Sequence, residues 1–258
     1  MGKIISFCNQ KGGVGKSTSA VNAGAYLAAL GRKVLLVDLD SQGNATSGLG
    51  IKPYDLKETS YQLIMGILPP ADLIKKTEMI GLDIIPANQD LAGATVELVY
   101  LEDRDVKLKN ALSQIKNDYD YILIDCPPSL GIITLNALMA SDEVIVPVQC
   151  EYYALEGLGQ LLETIDLLKN HLGAHLGIKG ALLTMFDRRN RLSREIVKEM
   201  RRNFPGYVFE AVIPRNVCLA EAPSFSKTIL QHDPYSHGAK AYRQFVEEIL
   251  RMDGYKIK

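Results

Sequence analysis

The sequence predicts an α/β protein, a doubly wound and mostly parallel sheet flanked by helices. Continuously apolar runs such as Val34-Leu35-Leu36-Val37 and Tyr121-Ile122-Leu123-Ile124 suit strands buried on both faces. Helix-period segments fall between such runs, and that alternation marks a parallel sheet covered by helices. A balance of 47% hydrophobic and 23% charged residues over 258 positions is ordinary for a chain with a large core.

Taken in order, strands are expected at Lys3–Cys8, Lys33–Asp38, Leu82–Pro86, Tyr121–Asp125, Glu143–Val148, Ile178–Thr184 and Val208–Ile213. Helices are expected at Lys16–Leu30, Val106–Lys116, Leu130–Ala140, Leu155–Leu172, Ser193–Asn203 and Ala239–Met252. Gly31 is placed to end the first helix, and Pro127-Pro128 breaks the chain after the fourth strand. Residues 55–102 are the least regular. No repeat, low-complexity tract or linker divides the chain, so residues 1–258 read as one domain.

Several classes are excluded at this level. Composition rules out collagen-like, disordered and disulfide-scaffold proteins. Cys126–Ser141, the longest uncharged stretch, is too short to cross a membrane and carries two prolines. The chain enters its first apolar run without a signal region. Cys8, Cys126, Cys150 and Cys218 lie far apart with no C-x-x-C, which suits a reducing cytoplasm. Twenty-nine Lys and Arg against thirty Asp and Glu leave a net charge of −1, so any nucleic-acid surface must be a local patch.

The strongest motif is Gln10-Lys11-Gly12-Gly13-Val14-Gly15-Lys16-Ser17-Thr18, set between the first strand and the first helix. Its glycines let successive N–H groups point inward as an anion nest, and the helix start behind them adds partial positive charge. Lys16 is suited to the β- and γ-phosphates of a nucleotide, and the Ser17 hydroxyl to Mg²⁺. G-x-x-x-x-G-K-[ST] would require glycine where this chain has Gln10, and Lys11 is an additional cation inside the loop. Lys11 is either a solvated charge or a second phosphate cation, supplied from a facing subunit. The second strand runs into Asp38-Leu39-Asp40-Ser41-Gln42-Gly43-Asn44, and the fourth ends in Asp125. Carboxylates at that edge of an open sheet lie where ligands bind, suited to orienting water or serving Mg²⁺. Each alone could merely cap a helix or start a turn.

With these residues, the chain resembles the deviant Walker A class of P-loop NTPases, most closely the ParA/Soj partition group of the ParA/MinD superfamily. The matching segments are Lys11–Thr18, Asp38–Asn44, Asp125-Cys126-Pro127-Pro128-Ser129-Leu130-Gly131, Val148–Gly157 and Ile213-Pro214-Arg215-Asn216-Val217. The resemblance implies ATP and Mg²⁺ as cofactors, and Lys11 as a signature lysine reaching the partner's nucleotide in an ATP-sandwich homodimer. It implies Asp40 as the water-orienting carboxylate, Asp125 behind Mg²⁺, and Pro214 and Asn216 around adenine. Gly12 would lack a side chain because the partner subunit packs there. The implied activity is a DNA-partitioning switch with weak ATPase turnover, bound to double-stranded DNA without sequence preference. A ParB/Spo0J-like protein would stimulate hydrolysis, and the location would be cytoplasmic and nucleoid-associated.

A local basic face supports the DNA expectation. From 188 to 202 there are seven basic residues and two acidic ones: Arg188, Arg189, Arg191, Arg194, Lys198, Arg201 and Arg202 against Glu195 and Glu199. With Ser193 as the helix cap, Arg194, Lys198 and Arg201 share one stripe above Ile196, Val197 and Met200. For an arbitrary protein this is a solvated helix face; the resemblance makes it a phosphate-contacting one, joined by Arg215. Cys218 stands where the family often carries a basic residue, which removes one expected contact. His171 and His175 at i, i+4 are interrupted by Gly173 and make a poor metal pair. Glu247, Glu248 and Asp253 dilute the last helix's positive face, which argues against a MinD-like membrane anchor. The remaining alternative, a metabolic or iron–sulfur-carrier ATPase, lacks the paired cysteines of the carriers.

Overall fold

The computed structural model describes residues 2–151 and 156–256. Tyr152-Tyr153-Ala154-Leu155, part of one segment of the resemblance and the expected start of a helix, lie outside the described residues. In chain order the elements are β1 (Lys3–Phe7), α1 (Lys16–Ala29), β2 (Val34–Asp38), α2 (Asn44–Gly48), α3 (Ser60–Met65), α4 (Pro70–Leu73), β3 (Lys75–Lys76), β4 (Leu82–Ile85), α5 (Leu91–Glu97) and α6 (Lys107–Ser113). There follow β5 (Tyr121–Asp125), α7 (Ile132–Ala140), β6 (Glu143–Gln149), α8 (Glu156–Leu172), β7 (Gly177–Phe186), α9 (Arg191–Asn203), β8 (Val208–Pro214), α10 (Val217–Glu221), α11 (Ile229–His232) and α12 (His237–Met252).

The strands form one sheet in the order β3-β4-β2-β5-β1-β6-β7-β8, parallel throughout except for the two-residue edge strand β3. Every residue of β2 and of β5 is buried, as their unbroken apolar runs predict. Successive side chains leave opposite faces of a strand, and each strand therefore feeds two cores. Leu35, Val37, Ile122, Ile124, Val144 and Val146 enter a core with α3 and α5–α9. Val34, Leu36, Tyr121, Leu123 and Ile145 enter another with α1, α11 and α12.

Helix ends follow local chemistry. Gly31, at φ +81°, closes α1: its N–H donates to Ala28 O and the Arg32 N–H to Leu27 O, the paired bonds of a Schellman stop. Thr59 and Gln62 form a reciprocal cap on α3. The expected cap Ser193 is corrected. α9 starts earlier, on Asn190, whose Oδ1 accepts the Leu192 N–H at 2.9 Å. Ser193 faces inward and donates to Cys150 O at 3.1 Å. A buried hydroxyl needs a partner, and here the carbonyl of the neighbouring loop supplies it.

The winding reverses around β1, which pairs with β5 on one side and β6 on the other. That reversal opens a crevice at the C-terminal sheet edge. The loops after β1, β2 and β5 meet there.

Candidate nucleotide site

Gly15 precedes α1 at φ +88° and Gly13 lies at φ +72°, backbone angles that favour glycine and turn the loop back over the helix start. Three buried side chains, one from β7 and two from the loop's own flanks, hold this loop in place. Thr184 of β7 donates its hydroxyl to Val14 O at 2.8 Å. Asn9 donates to Pro147 O at 2.7 Å and accepts the Lys11 N–H at 3.0 Å. Lys16, 6% exposed, donates from Nζ to Lys11 O at 3.1 Å. A Cβ added at Gly12 would meet only Pro128 Cβ, at 3.8 Å, so nothing within this chain forbids a side chain there.

The loop forms one wall of a cleft of about 420 Å³, with Ser17, Thr18, Asp40, Gln42, Asn44 and Pro128 around it. Asp38 and Asp125 are opposite one another in the β2–β5 register, and both are fully buried. Burial pushes the Asp38 carboxyl up to about 6, against hydrogen bonds from Thr46 and the Asp40 N–H. Asp125 is raised well above the usual carboxylate range, by burial first and then by the charge of Asp38, with Ser17 and Lys16 pulling the other way. Both Asp125 oxygens are without a hydrogen-bond partner among the described residues. Buried carboxylates left in this condition fit a cation far better than they fit a dry core.

A second cleft, of about 190 Å³, adjoins the first through Gly15, Thr18 and Met185, and its walls include Pro214 and Asn216. The two residues assigned to adenine thus stand one cleft away from the phosphate loop. Asn216 also caps α10, accepting the Leu219 N–H on Oδ1 at 3.1 Å.

The basic residues are exposed along α9 and the turn before it. Four of the eight candidates hold acidic neighbours: Arg189 with Asp187, Arg191 with Glu195, Arg201 with Glu210 and Arg215 with Glu151, all at 2.8–3.2 Å. Surface pairs of this kind contribute roughly 0–1 kcal/mol, so they leave the arginines open to exchange with stronger anions. Arg188, Arg189 and Arg215 also border a third cleft, of about 800 Å³, together with His237 and Lys240. Cys218 turns toward Asp233, at 3.5 Å, and burial first and then that hydrogen bond raise its thiol pKa.

Sequence reasoning missed Asn9, Thr46 and Thr184 as supports of the site, because their partners lie between 41 and 170 residues away. The local capping signal Thr59-x-x-Gln62 was available but lies outside the site.

Residues 2–178 match the family model described as an AAA domain. The sporulation initiation inhibitor protein Soj of Bacillus subtilis is 54% identical, covering 96% of this chain and 98% of its own. The chromosome-partitioning ATPase Soj of Treponema pallidum is 49% identical over 99% of this chain and 100% of its own. Among solved structures, cobyrinic acid a,c-diamide synthase from Mycobacterium smegmatis with bound ATP analogue and magnesium superposes with a TM-score of 0.87, at 38% identity, covering 100% of this chain and 98% of that one.

Proposed function

The chain belongs to the Soj/ParA family of chromosome-partitioning ATPases, and on that premise we propose that it is a single-domain, ATP-dependent DNA-partitioning switch. The observation that carries the reading is the juxtaposition of the Lys11–Thr18 loop with Asp40 at the cleft and with the buried Asp38 and Asp125 behind it. The backbone of Gly12, Gly13, Val14, Gly15, Ser17 and Thr18 cradles the phosphates, Lys16 neutralises them, and Pro214 and Asn216 hold the base.

Mg²⁺ fits the donor set, since Asp125 is orphaned in a dry site beside the Ser17 hydroxyl. Ser17 would hold it directly, with Asp125 behind a ligand of the ion. When bound, it supplies charge neutralisation between the phosphates. Asp40, 7% exposed, borders the cleft and orients the attacking water. Lys11 reaches the nucleotide of a second copy, so ATP closes a homodimer.

The dimer pairs two basic faces built from Arg188, Arg189, Arg191, Arg194, Lys198, Arg201, Arg202 and Arg215. Contacts of this type give affinity for duplex DNA without base reading. A ParB/Spo0J-like protein stimulates the slow hydrolysis that releases DNA, and the protein works in the cytoplasm on the nucleoid. No helix among the described residues is long and apolar enough to cross a membrane. α12 packs its apolar face, Tyr242, Phe245, Val246 and Ile249, into the core, which favours DNA over a membrane as the surface bound.

The decisive experiment is binding to arbitrary duplex DNA with ATP, with ADP and without nucleotide across a salt series. Binding with ATP alone, lost steeply with salt, is the expected result; equal binding in all three states would overturn the switch. An Asp40→Ala protein should bind ATP and DNA while hydrolysing little, and wild-type turnover would remove Asp40 from the mechanism.

A further inference from the structure

Asp40 stands on a tight loop whose two ends are held by one side chain. Asp38 Oδ1 accepts the Asp40 N–H at 3.0 Å. Asp38 Oδ2 accepts both the Thr46 N–H, at 2.9 Å, and the Thr46 hydroxyl, at 2.7 Å. Thr46 Oγ1 in turn accepts the Ala87 N–H at 2.9 Å, so this hydroxyl donates and accepts at once. Asp38, Thr46 and Ala87 are fully shielded from solvent. Within the loop, the Gln42 N–H donates to Asp40 Oδ1 at 3.0 Å and the Gly43 N–H to Asp40 O at 2.9 Å. Gly43, at φ +62°, packs so closely that an added Cβ would lie 3.0 Å from Pro53 Cγ and 3.2 Å from Ala87 O.

We propose that the Thr46 hydroxyl is a positioning residue for ATP hydrolysis, locking Asp38 to the Ala87 backbone and thereby setting where the Asp40 carboxylate stands over the cleft. The proposal rests on the reading of Asp40 as the water-orienting group. Thr46 is absent from the cleft wall, whereas its neighbours Asn44, Ser47 and Gly48 line it. Its effect therefore passes through the loop and not through contact with nucleotide. Deleting the hydroxyl leaves the Ala87 N–H unpaired in a dry site and strips Asp38 of one donor. The loop must then shift to satisfy them, and a displacement of about 1 Å in a positioning group can lower turnover by a hundredfold.

The test compares Thr46→Val, which keeps the shape and deletes the hydroxyl, with Thr46→Ser, which keeps the hydroxyl. Each is made in the full chain and again in the Asp40→Ala background; Thr46→Ala supplies the same comparison should Thr46→Val not fold. ATP turnover gives kcat, and titration with a fluorescent ATP analogue gives Kd. Thr46→Val should lower kcat by about tenfold or more with Kd within about twofold, and Thr46→Ser should restore turnover to within about threefold of wild type. In the Asp40→Ala background Thr46→Val should add less than about a twofold further loss, since residues acting as one unit are not additive. Three results overturn the proposal: wild-type turnover in Thr46→Val, equal losses in Thr46→Val and Thr46→Ser, or a full additional loss in the Asp40→Ala background. An Asp40→Ala chain with wild-type turnover removes the reading of Asp40 and this proposal with it. A failure confined to Thr46 leaves Asp40 in place.

Discussion

Asp253, just beyond α12, fastens the last helix to the N-terminal edge of the sheet, and its replacement by asparagine should be the most destabilising single-atom-scale change in that region. Its Oδ1 accepts from Lys3 Nζ at 2.6 Å and Lys179 Nζ at 2.7 Å, and its Oδ2 from the Tyr121 hydroxyl at 2.8 Å. The Lys179 side chain is 1% exposed and that of Asp253 6%. Removing one partner of a buried pair costs roughly 3–5 kcal/mol. Glu143 still holds Lys179, at 2.8 Å, so the lower end applies, about 3 kcal/mol. For a chain of this size each kcal/mol moves Tm by about 2–4 °C, giving a fall of about 6–12 °C for Asp253→Asn at pH 7. Circular dichroism melts measure it directly. Burial alone would raise the Asp253 carboxyl, but the hydrogen bonds from Lys179, Lys3 and Tyr121 outweigh it and hold the group below its ordinary value. A lowered carboxyl stabilises the fold above its unfolded pKa and loses that contribution as pH falls through the folded one. The gap between wild type and variant should therefore narrow below about pH 4. A Tm change under about 2 °C at pH 7 would refute the assignment of Asp253 as a buried anchor.

Two further outcomes follow from the site. ATP with Mg²⁺ at about a hundredfold over Kd should raise stability by about 2.7 kcal/mol, or Tm by about 5–10 °C, and EDTA should remove the metal-dependent part; an unchanged melt would empty the cleft of its assigned role. Arg188→Glu combined with Arg194→Glu should weaken DNA binding by about tenfold or more without changing ATP affinity, and the wild-type log–log salt slope should be roughly −4 to −5 for four to six neutralised phosphates. Unchanged DNA affinity in the double variant would move the interface off α9.

Much of the architecture is legible because the central strands are buried on both faces, and their apolar runs are too short for buried helices. The run Tyr121–Asp125 coincides with β5 in both bounds. The region 55–102 is different. There α3, α4 and α5 are four to seven residues long and β3 is two lysines. Such pieces hold their form through contacts with distant segments, as when the Ser60 N–H at the start of α3 donates to Pro86 O at 2.7 Å, and periodicity over so few residues is weak. The same division runs through the site. The phosphate loop is written in consecutive residues, so the motif reads directly from sequence. The Thr46–Ala87 and Thr184–Val14 bonds join residues that only the fold makes neighbours. Ser193 illustrates the converse: a good capping residue was available, but Asn190 caps the helix earlier and leaves Ser193 to satisfy a carbonyl inside.

If the proposed basic face grips DNA, the acidic neighbours of Arg189, Arg191, Arg201 and Arg215 set how long the bound molecule stays in one place. A phosphate arriving at Arg189 must displace Asp187, whose carboxylate then remains a few ångströms away and repels it. Each such contact is discounted by its own built-in competitor, and the carboxylate is ready to reclaim the arginine the moment the phosphate moves. Contacts of that kind break one at a time. On the proposed DNA face, residence on any single stretch of duplex should therefore be brief, and a grip made of such discounted contacts should let the protein migrate while it remains attached.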